Sequence, residues 1–173
     1  KSPVEGLEYT EMFIKNWNKH PLISPCITPH APYTCSDDVL TKAKKLAEKY
    51  DVPYHMHVSE TILEIEQSKK KHNKTPVEHL NSLGLWRKGD FAIHCVHLSE
   101  NDKNIFLEKG ISISHNPRSN MKISSGVAPI QNLLDKGIRV GIGTDGCASN
   151  NNLNMIKEMD TAAMLSKVFT MDA

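Results

Sequence analysis

No stretch of these 173 residues is long and apolar enough to cross a bilayer, since none approaches the roughly 18 residues a span requires. The opening KSPVEGLEYT does not read as a signal peptide either. An excess of one charge is also missing. Lys plus Arg is 21 and Asp plus Glu is 20, so no overall field draws the chain to nucleic acid or an anionic membrane. Paired cysteines are absent too. Cys26, Cys35, Cys95 and Cys147 lie far apart without a C-x-x-C spacing, which predicts free thiols and suits a reducing, intracellular setting. A soluble cytoplasmic protein is the expectation, with neither nucleic acid nor membrane as a partner.

What the sequence does have is strand and helix in alternation. Residues 5–19 carry Leu7, Met12, Phe13, Ile14 and Trp17 among charges, which predicts an amphipathic helix. LISPCIT (22–28) reads as a first strand and PHAPYTCS (29–36) as the loop after it. Ser36 is placed to cap a helix over 37–50, with Asp37 and Asp38 in its positive first turn. A strand over 52–58 comes next, then helices near 60–71 and 76–83, with Gly84 and Gly89 as stops. A strand over 91–98 leads to Ser99 and Asp102, a capping-box variant opening a helix over 100–109 that Gly110 ends. Strand 111–115, a long polar loop (116–126), helix 127–136 with Gly137 behind it, strand 139–144 and a last helix from near Leu153 complete the pattern. Lys42, Lys44, Lys45, Lys49, Lys69, Lys70 and Lys71 are expected on solvated helix faces or ends. Met155, Met159 and Met164 are expected on the buried face of the last helix.

Such alternation implies a parallel sheet with right-handed crossovers. An open doubly wound sheet would carry a glycine-rich phosphate loop after an early strand, and none is present. A complete (β/α)8 barrel usually needs about 250 residues, and this chain starts and stops in helices. Part of a TIM barrel, about strands four to eight, is the better fit.

His57, Glu60, His94 and Asp145 fall at or near the C-terminal ends of three apolar runs, VPYHMHVSE (52–60), FAIHCVHLSE (91–100) and RVGIGTDG (139–146). In parallel α/β barrels, chemistry is assembled from strand C-terminal ends and the loops after them. An imidazole offers a metal ligand, and a carboxyl group just beyond it offers proton transfer. Each residue alone has an ordinary explanation: a core histidine beside a capping glutamate, or an aspartate in a T-D-G turn. Three successive runs ending this way favour one shared site. Strand alternation puts His55 and His57 on one face, and sets His94 and His97 on opposite sides while their strand lasts. The inward set on the last strand is then Gly141, Gly143 and Asp145. His115 either lines the site or closes its strand, and His30 either meets a ligand or bonds to backbone. His20, His72 and His79 are expected at the surface.

At these residues the sequence resembles the amidohydrolase superfamily, and within it the 5-methylthioadenosine/S-adenosylhomocysteine deaminases. The matching stretches are PHAPYTCS (29–36), HVSET (57–61), AIHCVHLSE (92–100), SHNPRSNMKISSGVAPI (114–130) and GIGTDGCASNNNLNM (141–155). The resemblance implies an α/β fold, a metallo-dependent hydrolase barrel, with residues 1–173 as one partial domain lacking the N-terminal strands and the flanking β-sandwich. It implies one divalent metal ion with four protein ligands, Zn2+ foremost and Fe2+, Mn2+ or Ni2+ as alternatives. His57 would be the ligand from the fifth barrel strand and Asp145 the ligand from the eighth, with Asp145 also taking a proton from water. Glu60 would be the catalytic residue that protonates the purine ring, and His94 would polarise water and steady the tetrahedral intermediate. His30, Glu60 and His94 would contact the nucleoside.

The family's first metal motif, two histidines separated by one residue, is expected upstream. His55-Met56-His57 copies its letters, but Glu60 follows at fifth-strand spacing, so His55 reads as an interior residue below the site. The implied reaction is hydrolytic deamination of an adenosine-type nucleoside by a homo-oligomer, with the isolated 173-residue chain inactive. Guanine deamination or a triazine chloro- or aminohydrolase reaction on the same scaffold is the rival reading. A non-catalytic truncated copy is the rival from another class.

Overall fold

The computed structural model describes residues 3–172. The expectation about a leader peptide rests partly on Lys1 and Ser2, which lie outside the described residues. Helix α1 (Pro3–Trp17) precedes a loop in which the expected strand 22–28 survives only as one parallel bridge, Ile27 to Tyr54. Pro21 and Pro25 have no N–H to give a ladder, which confines pairing to Ile27. Helix α2 (Asp37–Tyr50) starts where Ser36 Oγ accepts the Val39 N–H, and buries Leu40, Ala43, Lys44 and Ala47 at helical spacing.

Four strands follow: β1 (His55–Val58), β2 (Phe91–His94), β3 (Ser112–His115) and β4 (Val140–Ile142). They pair in parallel in the order β1-β2-β3-β4. Helices α3 (Ile62–His72), α4 (Pro76–Ser82), α5 (Glu100–Lys109), α6 (Pro117–Lys122) and α7 (Ile130–Asp135) fill the crossovers, and α8 (Met155–Thr170) follows β4. Ser99 and Asp102 form the expected reciprocal cap on α5, and Gly110 ends it in the left-handed region at φ 67°.

On β1 to β3 burial alternates, with Met56, Val58, Ala92 and Ile113 packed under the helices. The opposite face, carrying His55, His57, Ile93 and Ser114, is only half-buried. The core sits between the sheet and α2, α4, α5 and α7, built on Leu40, Tyr54, Leu80, Phe106 and Leu133. All four cysteines are free, and no described helix is long and apolar enough to cross a membrane.

Several expectations need correction. The polar loop 116–126 holds helix α6, started by Pro117 at its first position. Lys44 is not solvated: it is 3% exposed and ion-paired with the fully buried Asp90. His79 is buried against Asp37, and His72 is half-buried on top of it. Met155, Met159 and Met164 are exposed, at 44%, 50% and 60%, because no described element packs over that face of α8.

Candidate active site

Three strand ends leave through left-handed backbone: Ser59 (φ 54°) after β1, His94 and Cys95 (φ 74° and 51°) at the end of β2, and Asp145 (φ 61°) after β4. These are costly conformations for residues with a Cβ and cluster where a side chain must be re-aimed. At His94 the effect corrects simple strand parity. The register pairs His57 with Ile93 and Val58 with His94, which would send His94 to the helix side. The turn at His94 instead brings its ring to 5.3 Å from that of His57. Beyond it the strand has ended, and His97 is tied by Nε2 to the Ser125 carbonyl at 2.7 Å, away from the cluster.

His57 is oriented by one acceptor. Its backbone N–H and its ring Nδ1 both donate to the carbonyl of His30, at 3.1 and 2.7 Å. A carbonyl only accepts, so Nδ1 carries the proton and Nε2 of the neutral ring keeps a lone pair. That Nε2 lies 3.9 Å from Asp145 Oδ1. His94 Nδ1 meets Asn120 Oδ1 at 2.8 Å, and its Nε2 lies 3.6 Å from Glu60 Oε1 and 3.8 Å from Asp145 Oδ2. One atom each from His57, His94 and Asp145 falls within 4.8 Å of the others, a spacing that fits a single metal ion.

Electrostatics hold these groups in useful states. Burial pushes the His94 imidazole down in pKa, against the pull of Glu60, Asn120 and Asp145. Burial would raise Asp145, but hydrogen bonds from Ser119 Oγ (2.5 Å), Ser149 Oγ (2.7 Å) and the Gly146 N–H, with His94 nearby, hold it below the usual carboxylate value. Glu60 is 9% exposed on a turn held by Glu64, which accepts the N–H of Ser59 at 2.9 Å and of Glu60 at 2.8 Å. Burial raises the pKa of Glu64 although those N–H groups oppose it.

Below Asp145 the chains approach closely. A Cβ on Gly143 would sit 2.5 Å from Asn116 Oδ1 and 2.7 Å from Ser114 Oγ, so any larger residue must displace those two side chains. Asn150 then ties the Thr144 carbonyl to the buried Glu158 of α8, at 2.8 and 2.7 Å.

The other histidines surround this cluster at different depths. His55 bonds Thr28 Oγ1 at 2.9 Å, stacks on Phe91 and is lowered to about 4 by burial and by His57, outside the cluster as expected. His115 is buried beside Val127 and Ala128, and burial together with nearby His94 lowers its pKa to about 4. His30 sits exposed on the rim, its ring 5.1 Å from that of His57 and bonded to Thr34 Oγ1 at 2.8 Å. Sequence reasoning missed Glu64, Ser119, Asn120 and Ser149. Ser119, Asn120 and Ser149 lie in SNMKISSG and CASNNN, stretches that carried the family resemblance without any one of their hydroxyl or amide residues standing out, and nothing in the sequence marked Glu64.

The amidohydrolase family model matches residues 5–173. The chain belongs to the amidohydrolase family. A 5-methylthioadenosine/S-adenosylhomocysteine deaminase of Syntrophobacter fumaroxidans is 47% identical over 171 residues, covering 98% of this chain and 39% of that protein. A 5'-deoxyadenosine deaminase of Methanopyrus kandleri is 47% identical over 151 residues, 87% of this chain and 35% of that protein. The crystal structure of an adenosine deaminase from Xanthomonas campestris with bound zinc superposes with a TM-score of 0.95 at 38% identity, over 100% of this chain and 39% of the neighbour. This amidohydrolase chain is therefore part of a (β/α)8 barrel, and it spans about two fifths of the length of its relatives.

Proposed function

We propose that the intact protein is a metal-dependent hydrolase that removes the amino group from the adenine ring of an adenosine-type nucleoside, 5-methylthioadenosine or S-adenosylhomocysteine. The observation that carries this reading is the convergence of Glu60 and Asp145 on His94 Nε2, at 3.6 and 3.8 Å. The names of relatives near 47% identity support the substrate class.

His57 Nε2 and an oxygen of Asp145 would hold a divalent ion, zinc foremost, together with ligands from outside these residues. Such an ion, when bound, supplies a nucleophilic water near neutral pH by lowering its pKa toward about 7. The carboxylate of Asp145, kept ionised by Ser119 and Ser149, accepts a proton from that water. Oxygen adds to C6 of the purine while Glu60 gives a proton to the adjacent ring nitrogen. His94 Nε2, turned toward Glu60 and Asp145, faces the attacking water and polarises it. The proton held by Asp145 leaves with ammonia as the C–N bond breaks, and the hydroxyl proton returns to Glu60, leaving the inosine-type product. His30 contacts the nucleoside from the rim.

In this reading residues 1–173 are one partial barrel domain, with the N-terminal strands and a flanking β-sandwich outside it. The intact protein is a cytoplasmic homo-oligomer. Free thiols support the compartment, and exposed apolar side chains such as Met12, Ile156 and Val168 support a covering partner surface. The test is a substrate panel on the intact protein, measuring ammonia from methylthioadenosine, S-adenosylhomocysteine, 5'-deoxyadenosine, guanine and an aminotriazine. Preference for guanine or the triazine would replace this substrate class.

A further inference from the structure

A second group of metal-capable side chains lies outside the site described above. Asp37 opens α2, His72 ends α3 and His79 lies in α4, and one ligand atom from each falls within 4.8 Å of the other two. His79 Nε2 and Asp37 Oδ1 are 2.9 Å apart, and the His72 ring stacks on that of His79 with centroids 3.6 Å apart. An Asp–His hydrogen bond between helices would account for two of these residues, but it gives His72 no role. Two stacked imidazoles are also a poor place for two positive charges. We propose that Asp37, His72 and His79 form a separate binding site for a borderline divalent cation such as Zn2+.

Two imidazole nitrogens and one carboxylate oxygen are the donor set zinc prefers, whereas Mg2+ and Ca2+ favour all-oxygen shells. The Asp37 side chain is 44% exposed, and the two histidines border an open cavity of about 270 Å³ shared with Tyr33, Glu64 and Gln67. An ion can therefore enter from solvent, and water can fill the fourth tetrahedral position. Lys71 and Lys74 bring positive charge near the site and weaken it, and Asp37 supplies the compensating negative charge.

The test uses the intact protein, dialysed against zinc until saturated and then counted by elemental analysis. Wild type is expected to hold one equivalent more than His72→Gln and one more than Asp37→Asn, with all three folded by circular dichroism. Asp145→Ala is expected to lose the catalytic ion and keep this one, which separates the two sites. His72→Gln should leave deamination unchanged, so the zinc count and not activity is the readout. Equal zinc in wild type and His72→Gln overturns the proposal, because ions on other surface histidines would be common to both.

Discussion

The carbonyl oxygen of His30 accepts two hydrogen bonds from His57, one from the backbone N–H and one from ring Nδ1. A loop residue on the rim thus fixes both the strand end and the tautomer of the proposed metal ligand. Because the carbonyl, not the side chain, does this, replacing His30 by alanine should leave the orientation of His57 intact. His30→Ala is expected to keep its metal and to raise KM for the nucleoside more than it lowers kcat. Loss of metal in that variant would show that the ring, and not the carbonyl, supports the site.

The proposed ligands should respond differently. His57→Ala and Asp145→Ala are each expected to hold one metal equivalent less than the wild type, the one at the active site, and to lose activity with it in the intact protein. Elemental analysis decides this, and a metal content equal to that of the wild type in either purified variant removes that residue from the ligand set.

Glu64 is argued to position Glu60 and not to touch substrate. Its two oxygens take the N–H groups of Ser59 and Glu60 across a left-handed turn. In Glu64→Gln one of those N–H groups faces an amide donor, so the turn should shift. The expected result is a kcat about 10–100-fold lower, the scale of a small misplacement at a reacting group, with KM and metal content unchanged. An unchanged kcat would mean that Glu60 is held by other contacts.

Lys44 gives a stability test with an internal control. It is buried against Asp90, which also accepts the N–H groups of Tyr54 at 3.1 Å and Arg87 at 3.0 Å. Breaking a buried pair from one side usually costs about 3–5 kcal/mol. Lys44→Ala is therefore expected to fall by about 3 kcal/mol in denaturant unfolding, since Asp90 keeps its two backbone partners. The exposed neighbour Lys45→Ala should stay within about 0.5 kcal/mol of wild type. Equal losses in both would refute the structural role given to Lys44.

Much of the architecture was legible in the sequence because period and caps agree. The βα alternation, the Ser36 and Ser99 caps and the Gly110 stop all stand where composition put them. Lys44 was misread because a lysine at helical spacing looks solvated, and its partner Asp90 lies 46 residues away. The first strand was overestimated because its apolar letters outweighed the missing N–H of Pro25. Within the site, strand parity identified His57 but would have turned His94 outward. Only the backbone turn at His94, invisible in residue types, brings it back. Ser119, Ser149 and Glu64 escaped notice because hydroxyl and carboxylate groups become informative only once their partners are known.

The central claim is that the intact protein deaminates an adenosine-type nucleoside with Glu60 as the proton carrier. The most direct measurement is ammonia release from methylthioadenosine or S-adenosylhomocysteine by the metal-replete wild type and by Glu60→Gln, with metal counted in both. The amide keeps the shape of Glu60 but cannot shuttle a proton. The account predicts measurable turnover in wild type, and in the variant an unchanged metal content with a rate lower by about 10²–10⁴-fold, the usual worth of general acid–base catalysis. Near-normal turnover in Glu60→Gln, or no deamination by the metal-replete wild type, would contradict it.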